Sequence, residues 1–522
     1  MKPRRPRAPC EVGARRVIRD LQVFLISDAA RRKKRPRPLK SVDAIFAPVC
    51  RFAVERLRQR TRRARPVIAN TVWCDLERDL SERLALAMAA TSRVYRRGVQ
   101  ALVPNSRQRS RSWIEIDPLD IFAEFPGALE TAAHLISVWT EAQAELLARA
   151  ARDRHEIGVK FFGKKTPLPV VRVHPGLSDP HDGGRTVTMV QFASGNRVIY
   201  KPRVCDGELV WFEALRWLHR NGLCPSFQIP TILRRTNYAW MEFLHPSACK
   251  NLCDVRLFYF RWGVQGALAQ ILGAADLHRG NWLAVGAQPI LVDAESIGEI
   301  ELNSCGEVAA GDRHLPAILR TGLLPIIARD RVGFYRGIAP FDDAVISNNA
   351  TASQHWPRYR GAFHRPSEYV DEIASGFAAV TQLFAAKRMR DAFFEEVMLR
   401  IPTERRLLLR ATKEYLRILC ESLEPRHLIA PGARLRWLLE QCCASALDRG
   451  VGREEARSLL CCDIPKFTAH RRAIIGSRKA FAARISELKK GLRLLRGRVR
   501  LAADQLKANR SPPFVGAAHV LQ

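Results

Sequence analysis

Apolar positions recur with helical spacing from about residue 41 to 165. They switch to a short, β-rich pattern near residue 168 and return to helical spacing from about residue 365. Periods near 3.6 and 2 distinguish a helix with one buried face from a half-buried strand. Leu84, Leu86 and Met88 fall in one predicted helix of the first region. Residues 129–151 form another, with Leu135, Trp139 and Leu146 at spacings compatible with one buried face. Residues 168–173 read as a strand, followed by a turn-rich stretch over 178–185. Residues 186–192 and 197–201 then read as an antiparallel pair joined by Ser194-Gly195-Asn196. A helix is predicted over 209–218, a strand over 238–244 leading into a hinge, and a long apolar helix over 255–272. Residues 282–285 and 289–292 form a predicted hairpin that ends at Asp293, and 477–508 a basic surface helix that caps the chain.

Small β-rich lobe, hinge, then helical lobe is the order of a kinase-like fold, so the fold class is α+β. The expected regions are a basic arm over 1–40, helices over 41–165, the β-rich lobe over 166–250, a helical lobe with an activation-type insert over 251–400, and a C-terminal helical region over 401–510. A chain of 522 residues has room for these as two to four domains, at roughly 100–200 residues each. No run of about 18 uncharged apolar residues occurs, so no transmembrane helix is predicted, and the arginine-rich N-terminus lacks the form of a secretory signal.

The net charge of +33 is concentrated before residue 66, most densely in Arg31-Arg32-Lys33-Lys34-Arg35-Pro36-Arg37-Pro38. Such a block reads as a solvated arm, or as a grip on an acidic peptide, nucleic acid or a membrane surface. No aromatic residues interleave with it, which argues against single-strand binding, and a nucleic-acid partner is not expected. Of the 13 cysteines, Cys442-Cys443 and Cys461-Cys462 are adjacent and Cys249/Cys253 form a lone CxxxC. The expectation is reduced thiols in a cytoplasmic protein, associated at most with a membrane through its basic surface, and no zinc site.

Asp276-Leu277-His278-Arg279-Gly280-Asn281, with Asp293 twelve residues after the Asn, has the order of a phosphoryl-transfer site. The first Asp can orient or deprotonate an attacking hydroxyl, while Asn281 and Asp293 can hold Mg²⁺ against ATP phosphates. Upstream, Lys201 ends a strand where a kinase lysine contacts the α/β phosphates, with Glu208 and Glu213 as candidate partners. Glu295 stands two residues past Asp293 and can share its task. Asp179, His181 and Gly183-Gly184-Arg185 form a second set. Glycine amides can approach a phosphate, but a carboxylate repels one, so the Asp and His make more sense in proton chemistry. Arg406, Arg410 and Thr412 form a third set on a predicted helix over 405–415.

Together these runs resemble the dehydratase domain of class II lanthipeptide synthetases (the LanM type). The resemblance rests on Asp179-Pro180-His181 with Gly184-Arg185, Ile199-Tyr200-Lys201-Pro202-Arg203, Trp240-Met241-Glu242-Phe243, Asp276-Leu277-His278 with Asn281, and Pro289-Ile290-Leu291-Val292-Asp293-Ala294-Glu295. It continues through Arg320-Thr321-Gly322-Leu323-Leu324-Pro325, Arg406 with Arg410-Ala411-Thr412 and Tyr415, and Asp463-Ile464-Pro465-Lys466-Phe467, so it spans about residues 40 to 490.

The resemblance implies a lipid-kinase-like, two-lobed catalytic core with additional N- and C-terminal helices. It implies that ATP phosphorylates Ser or Thr of a ribosomal precursor peptide and that phosphate is then eliminated to leave dehydroalanine or dehydrobutyrine. Lys201, Asp276, His278, Asn281 and Asp293 would serve the first step, with Asp179 and His181 nearby, and Arg406 and Thr412 the second. Kinase-only activity, or an inactive peptide-binding scaffold, is the alternative. Gly280 replaces the family's acidic residue, Ser178 its glycine and Ala411 its proline. No Cys-His-Gly run of the family's zinc cyclase occurs, so ring closure is expected to fall to a separate cyclase, if the product is cyclised at all.

Overall fold

Two apolar cores lie on opposite faces of one five-stranded antiparallel sheet, and the two-residue alternation of its strands is what divides them. The computed structural model describes residues 11–32, 45–101, 116–164, 168–223, 225–298, 316–324, 339–341, 354–401, 404–407, 409–444, 449–470 and 478–508. The sheet is built from β1 (Val170–His174), β2 (Thr188–Phe192), β3 (Arg197–Lys201), β4 (Ile232–Arg234) and β5 (Ala239–Glu242), in the order β1-β2-β3-β5-β4. Val198, Tyr200 and Trp240 face the N-terminal helices, whereas Ile199 and Met241 face the second core. Lys201 follows Ile199 by two residues and so leaves the sheet on that second face.

The N-terminal core is formed by helices α1 (Glu11–Arg32), α2 (Ala47–Arg60), α3 (Asn70–Ala101) and α4 (Pro126–Phe162). Leu135, Trp139 and Leu146 are buried along α4 as their spacing predicts, and Leu84 and Met88 along α3, while Leu86 is exposed. Asp153 of α4 accepts from Tyr238 Oη at 2.6 Å and Trp240 Nε1 at 2.8 Å, which ties the sheet to this layer. The arm expected over 1–40 needs correction in its middle. Val17, Leu21 and Leu25 of α1 are fully buried, because their spacing makes an apolar stripe that the basic composition conceals. Residues 1–10 and 33–44, with most of the densest basic block, lie outside the described residues.

The second core centres on α5 (Asp206–Arg220), α6 (Leu252–Leu272), the hairpin β6 (Trp282–Val285)/β7 (Gln288–Leu291) and α7 (Val370–Leu383). Helix α6 is buried on nearly every side from Phe258 onward, where its residues are mostly apolar. Asn251 caps its start by accepting from Asp254 N at 2.9 Å, and Gly273 ends it in the left-handed conformation. Gly263 and Gly376 let α6 and α7 meet backbone to backbone, since a Cβ at either would stand 1.9 Å from a carbonyl oxygen of the other helix.

The C-terminal region departs from expectation in two places. Arg406 lies not on a helix but on β8 (Glu404–Leu407), which pairs with β9 (Phe467–His470); helix α8 (Thr412–Ser422) begins only after it. A cross-strand partner 60 to 66 residues away satisfies this backbone, and no local pattern announces it. Helices α9 (Ala433–Ala444) and α10 (Arg449–Leu460) complete a small third core with α8. The predicted surface helix over 477–508 is instead two helices, Arg478–Ser486 and α11 (Leu488–Ala508), and Leu488, Leu495 and Val499 are fully buried against the second core. No helix among the described residues is long and apolar enough to cross a membrane. The activation-type insert lies largely outside the described residues.

Candidate active site

Strand β3 ends by carrying Lys201 into the second core, where Glu208 on the first turn of α5 meets it. Nζ stands 2.8 Å from Glu208 Oε1 and also donates to the carbonyl of Val292. Both side chains are almost wholly buried, so each ion needs the other. Burial pulls the Lys201 amine down, but Glu208, with Asp293 and Cys205, carries the net direction up. Burial likewise raises the Glu208 carboxyl, and Arg203 with Lys201 overcomes this to hold it at about 2. Of the two candidate partners for Lys201, Glu208 takes the position; Glu213 pairs with Arg216 and Arg220.

Arg203 joins this pair to the Asp-x-Glu run. Its Nη2 lies 2.6 Å from Glu208 Oε1 and 2.7 Å from Asp293 Oδ1, and its Nε contacts Glu295 Oε1. Asp293 and Glu295 leave the end of β7, and the strand end is stitched to the Asp276 loop. Val292 N donates to Asn281 O at 2.8 Å, and Ala275 N to Ser296 O at 2.9 Å. Within the loop, Asn281 Nδ2 donates to the Asp276 carbonyl at 2.8 Å, which leaves the carboxamide oxygen of Asn281 as an acceptor. Asp276 has φ 59°, a left-handed conformation that a non-glycine residue holds only when its surroundings impose it. His278 Nδ1 accepts from Gly280 N at 3.1 Å. A Cβ on residue 280 would press the His278 ring from 3.0 Å, which gives Gly280 a local steric reason.

The third set arrives from the C-terminal region. Arg406 Nη1 is 3.7 Å from Glu295 Oε2, and Lys466, just before β9, is 3.0 Å from the same oxygen. Burial is the main reason that Asp179 and Asp276 sit above the ordinary carboxyl range, and the charges of Arg406 and His278 act on both of them in opposition. Arg203, Lys466 and Arg406 together hold Glu295 well below its range, against the effect of burial.

The Gly183-Gly184 turn does not present a vacant anion nest. Both residues have positive φ, and their amides donate to the buried Asp463 carboxylate at 2.6 to 2.9 Å. Ile464 N donates to Pro180 O, and Ile464 O lies 2.7 Å from His181 Nδ1. A carbonyl can only accept, so Nδ1 carries the imidazole proton and Nε2 keeps its lone pair.

His181 and Asp463 titrate in opposing senses. Burial, then Arg406, lowers His181 from 6.5 to about 4, while burial raises Asp463 from 3.8 to about 6 against the two glycine amides. The stability contributed by neutral His181 is present above pH 6.5 and is lost as pH falls through 4. That contributed by protonated Asp463 is full below pH 3.8 and is lost as pH rises through 6. Each is worth about 3 kcal/mol, and over the shared window they largely offset one another. Asp463→Asn is therefore expected to make stability climb more steeply from pH 4 to 6 than in the wild type. Urea denaturation at stepped pH reads this, and equal slopes would overturn the assignment.

The structure thus brings Asp179, His181, Lys201, Asp276, His278, Asn281, Asp293 and Arg406 to one partly enclosed centre. Thr412 opens α8 behind Ala411, and among the described residues no hydrogen bond or ion pair ties it to that centre. Arg410 is engaged elsewhere, pairing with Glu455, which also receives the Tyr415 hydroxyl at 2.7 Å. Residue-by-residue reading did not assign Arg203, Lys466 or Asp463; their signal was their membership of the two short runs around Lys201 and Ile464. No group of three or more His, Cys, Asp or Glu suited to hold a metal occurs among the described residues. A magnesium ion brought by a nucleotide needs fewer protein ligands, only one or two carboxylates beside phosphate oxygens. Asp293, Glu295 and the Asn281 carboxamide oxygen are hard donors of that kind.

The family described as domain of unknown function (DUF4135) matches residues 125–470, which include every residue of this centre. The chain is also similar to the lacticin 481/lactococcin biosynthesis protein LcnDR2 of Lactococcus lactis subsp. lactis, 20% identical over 236 residues. That match covers 38% of this chain and 25% of the relative, so the chain spans about a quarter of the relative's length.

Proposed function

We propose that this chain, which belongs to the DUF4135 family, is a lanthipeptide-type dehydratase that phosphorylates Ser and Thr of a precursor peptide and then eliminates the phosphate. The observation that carries the reading is the meeting at Glu295 of two sets distant in sequence. Arg203 of the Lys201–Glu208–Asp293 network reaches one of its oxygens, and Arg406 and Lys466 face the other. The likeness to a lacticin 481/lactococcin biosynthesis protein supports the same direction. On this reading the five-stranded sheet with α5 is the small lobe of a lipid-kinase-like core, and the helices from α6 to α7 are the large lobe.

A magnesium-bound ATP, when present, supplies the phosphoryl group and the countercharge for it. Asp293 and Asn281, with Glu295, would hold the metal, and Lys201, kept extended by Glu208, would hold the nucleotide phosphates. Asp276 is the acceptor for the hydroxyl proton of the peptide side chain. Its raised proton affinity, from burial, suits a base that must take a proton during transfer. Phosphorylation exchanges hydroxide, a poor leaving group, for phosphate.

Elimination then needs a proton acceptor at Cα and a cation for the departing anion. His181 offers a free Nε2 lone pair, and the guanidinium of Arg406 can take two phosphate oxygens at once. The electron pair of the Cα–H bond becomes the new π bond, the Cβ–O pair leaves with the phosphate, and the proton goes to His181. Thr412 and His278 are proposed to assist the elimination and the phosphorylation, respectively. The partner is the precursor peptide, and the compartment is the bacterial cytoplasm, where ATP is available.

The test is mass spectrometry of a Ser/Thr-rich precursor peptide incubated with the protein, ATP and Mg²⁺. A peptide lighter by one water per modified residue is expected, and chelation of Mg²⁺ should abolish the change. A peptide unaltered in mass under both conditions would refute the reading.

A further inference from the structure

Lys466 has no part in the mechanism above, yet its ammonium lies 3.0 Å from Glu295 Oε2, the same oxygen that Arg406 approaches at 3.7 Å. The other oxygen of that carboxylate is held by Arg203 Nε. Three cations therefore surround Glu295. Arg203 has Glu208 and Asp293 besides, whereas Lys466 and Arg406 share this one carboxylate at ion-pair distance, with Asp179 and Asp276 acting on Arg406 from farther off. Their side chains are 11% and 14% exposed, so water screens the two like charges poorly. The 3.7 Å separation is also too long for a hydrogen bond, which leaves the Arg406 fork unsatisfied by Glu295.

The backbone holds Lys466 in place from both sides. Asp463 is clasped by the Gly183 and Gly184 amides, Ile464 is bonded in both directions to the Pro180–His181 turn, and Phe467 pairs with Leu407 at the start of β9. Arg406 lies one residue along the partner strand, opposite Thr468. One cation on β8 and one just before β9, both near one oxygen and fixed by the fold, are arranged for an anion with more charge and more oxygens than a carboxylate.

We propose that Lys466 and Arg406 form a two-cation seat for a phosphoryl dianion, in which the Glu295 carboxylate is the resident placeholder. Resting on the dehydratase reading, the inference adds that Lys466 binds the phosphate as it leaves the peptide. Lys466 donates hydrogen bonds to non-bridging oxygens and gives up no proton; the bonds that form and break are those of the elimination already described. Glu295 retains Arg203 when the phosphate takes its place.

The probe is inorganic phosphate, titrated calorimetrically into the full chain in the presence of Mg²⁺ and ADP. Lys466→Met is expected to weaken phosphate binding by about 10- to 100-fold, the range for losing a hydrogen bond to a charged group, with ADP affinity unchanged. Equal phosphate affinity in variant and wild type overturns the seat, and so does a wild type that binds no phosphate. A second measurement needs no variant: phosphate should slow acetylation of Lys466 in the wild type and leave the exposed Lys413 unaffected. Equal acetylation of Lys466 with and without phosphate also overturns the seat. A protein that binds phosphate through Lys466 but never phosphorylates its precursor refutes the dehydratase and leaves the seat standing. Conversely, a phosphopeptide cleared by Lys466→Met at the wild-type rate refutes the seat alone.

Discussion

Arg406→Ala is expected to stop the reaction half-way, so that the precursor peptide becomes heavier by phosphate instead of lighter by water. The elimination rate should fall about 10²- to 10³-fold, the usual cost of removing one preorganised group that stabilises developing negative charge. Phosphorylation should persist, because the Lys201–Glu208 pair and the Asp276–Asn281 loop form without Arg406. The fold should tolerate the change. Arg406 stands 3.7 Å from Glu295, and Glu295 keeps Arg203 and Lys466. Arg406→Lys should recover only part of the rate, since an ammonium lacks the planar fork that takes two oxygens. Time-resolved mass spectrometry reads both species. If the wild type itself accumulates phosphopeptide and Arg406→Ala changes nothing, the protein is a kinase without a lyase step.

Replacing Lys201 by methionine is expected to abolish phosphopeptide formation and to destabilise the fold. Glu208 has no exposed surface, and removing one partner of a buried pair costs about 3–5 kcal/mol because the other charge is left uncompensated. The lower end applies here, because Arg203 still holds both Glu208 oxygens at 2.6 and 3.1 Å. Lys201→Met combined with Glu208→Gln should regain part of that stability and none of the activity, which separates the lysine's chemistry from its structural duty. Chemical denaturation and the peptide assay give the two readouts. Phosphorylation at the wild-type rate in Lys201→Met would remove the lysine from the nucleotide site.

Much of this centre is legible in the letters because its parts are short runs with local geometry. A lysine ending a β-alternating run must point to the face of its i−2 neighbour, and Ile199 is apolar and core-facing, so Lys201 had to enter the core. The hairpin ending at Asp293 is equally local, since Val285 pairs with Gln288 across a two-residue turn at Gly286. The long buried helix α6 follows from an apolar run bounded by a capping Asn and a terminal Gly.

Other features are invisible to periodicity. Arg406 reads as part of a basic helix face until β9 supplies the strand that turns it, and α1 is hidden by the arginines around its apolar stripe. The glycine turn at 183–184 offers amides that could approach a phosphate, and nothing local shows that they are filled by Asp463, a residue about 280 positions away.

From composition, periodicity and short motifs alone come the mixed α+β class, most strand and helix positions, and the identity of most ionisable groups that the fold gathers at the candidate site. These are set by torsional preference and by the burial of neighbours within a few residues. The tertiary arrangement alone assigns Glu208 over Glu213, bridges Asp293 to Glu208 through Arg203, and sets Arg406 and Lys466 against Glu295. Those choices depend on which charges share a low-dielectric interior, and charge interactions fall off with distance through space, not along the chain.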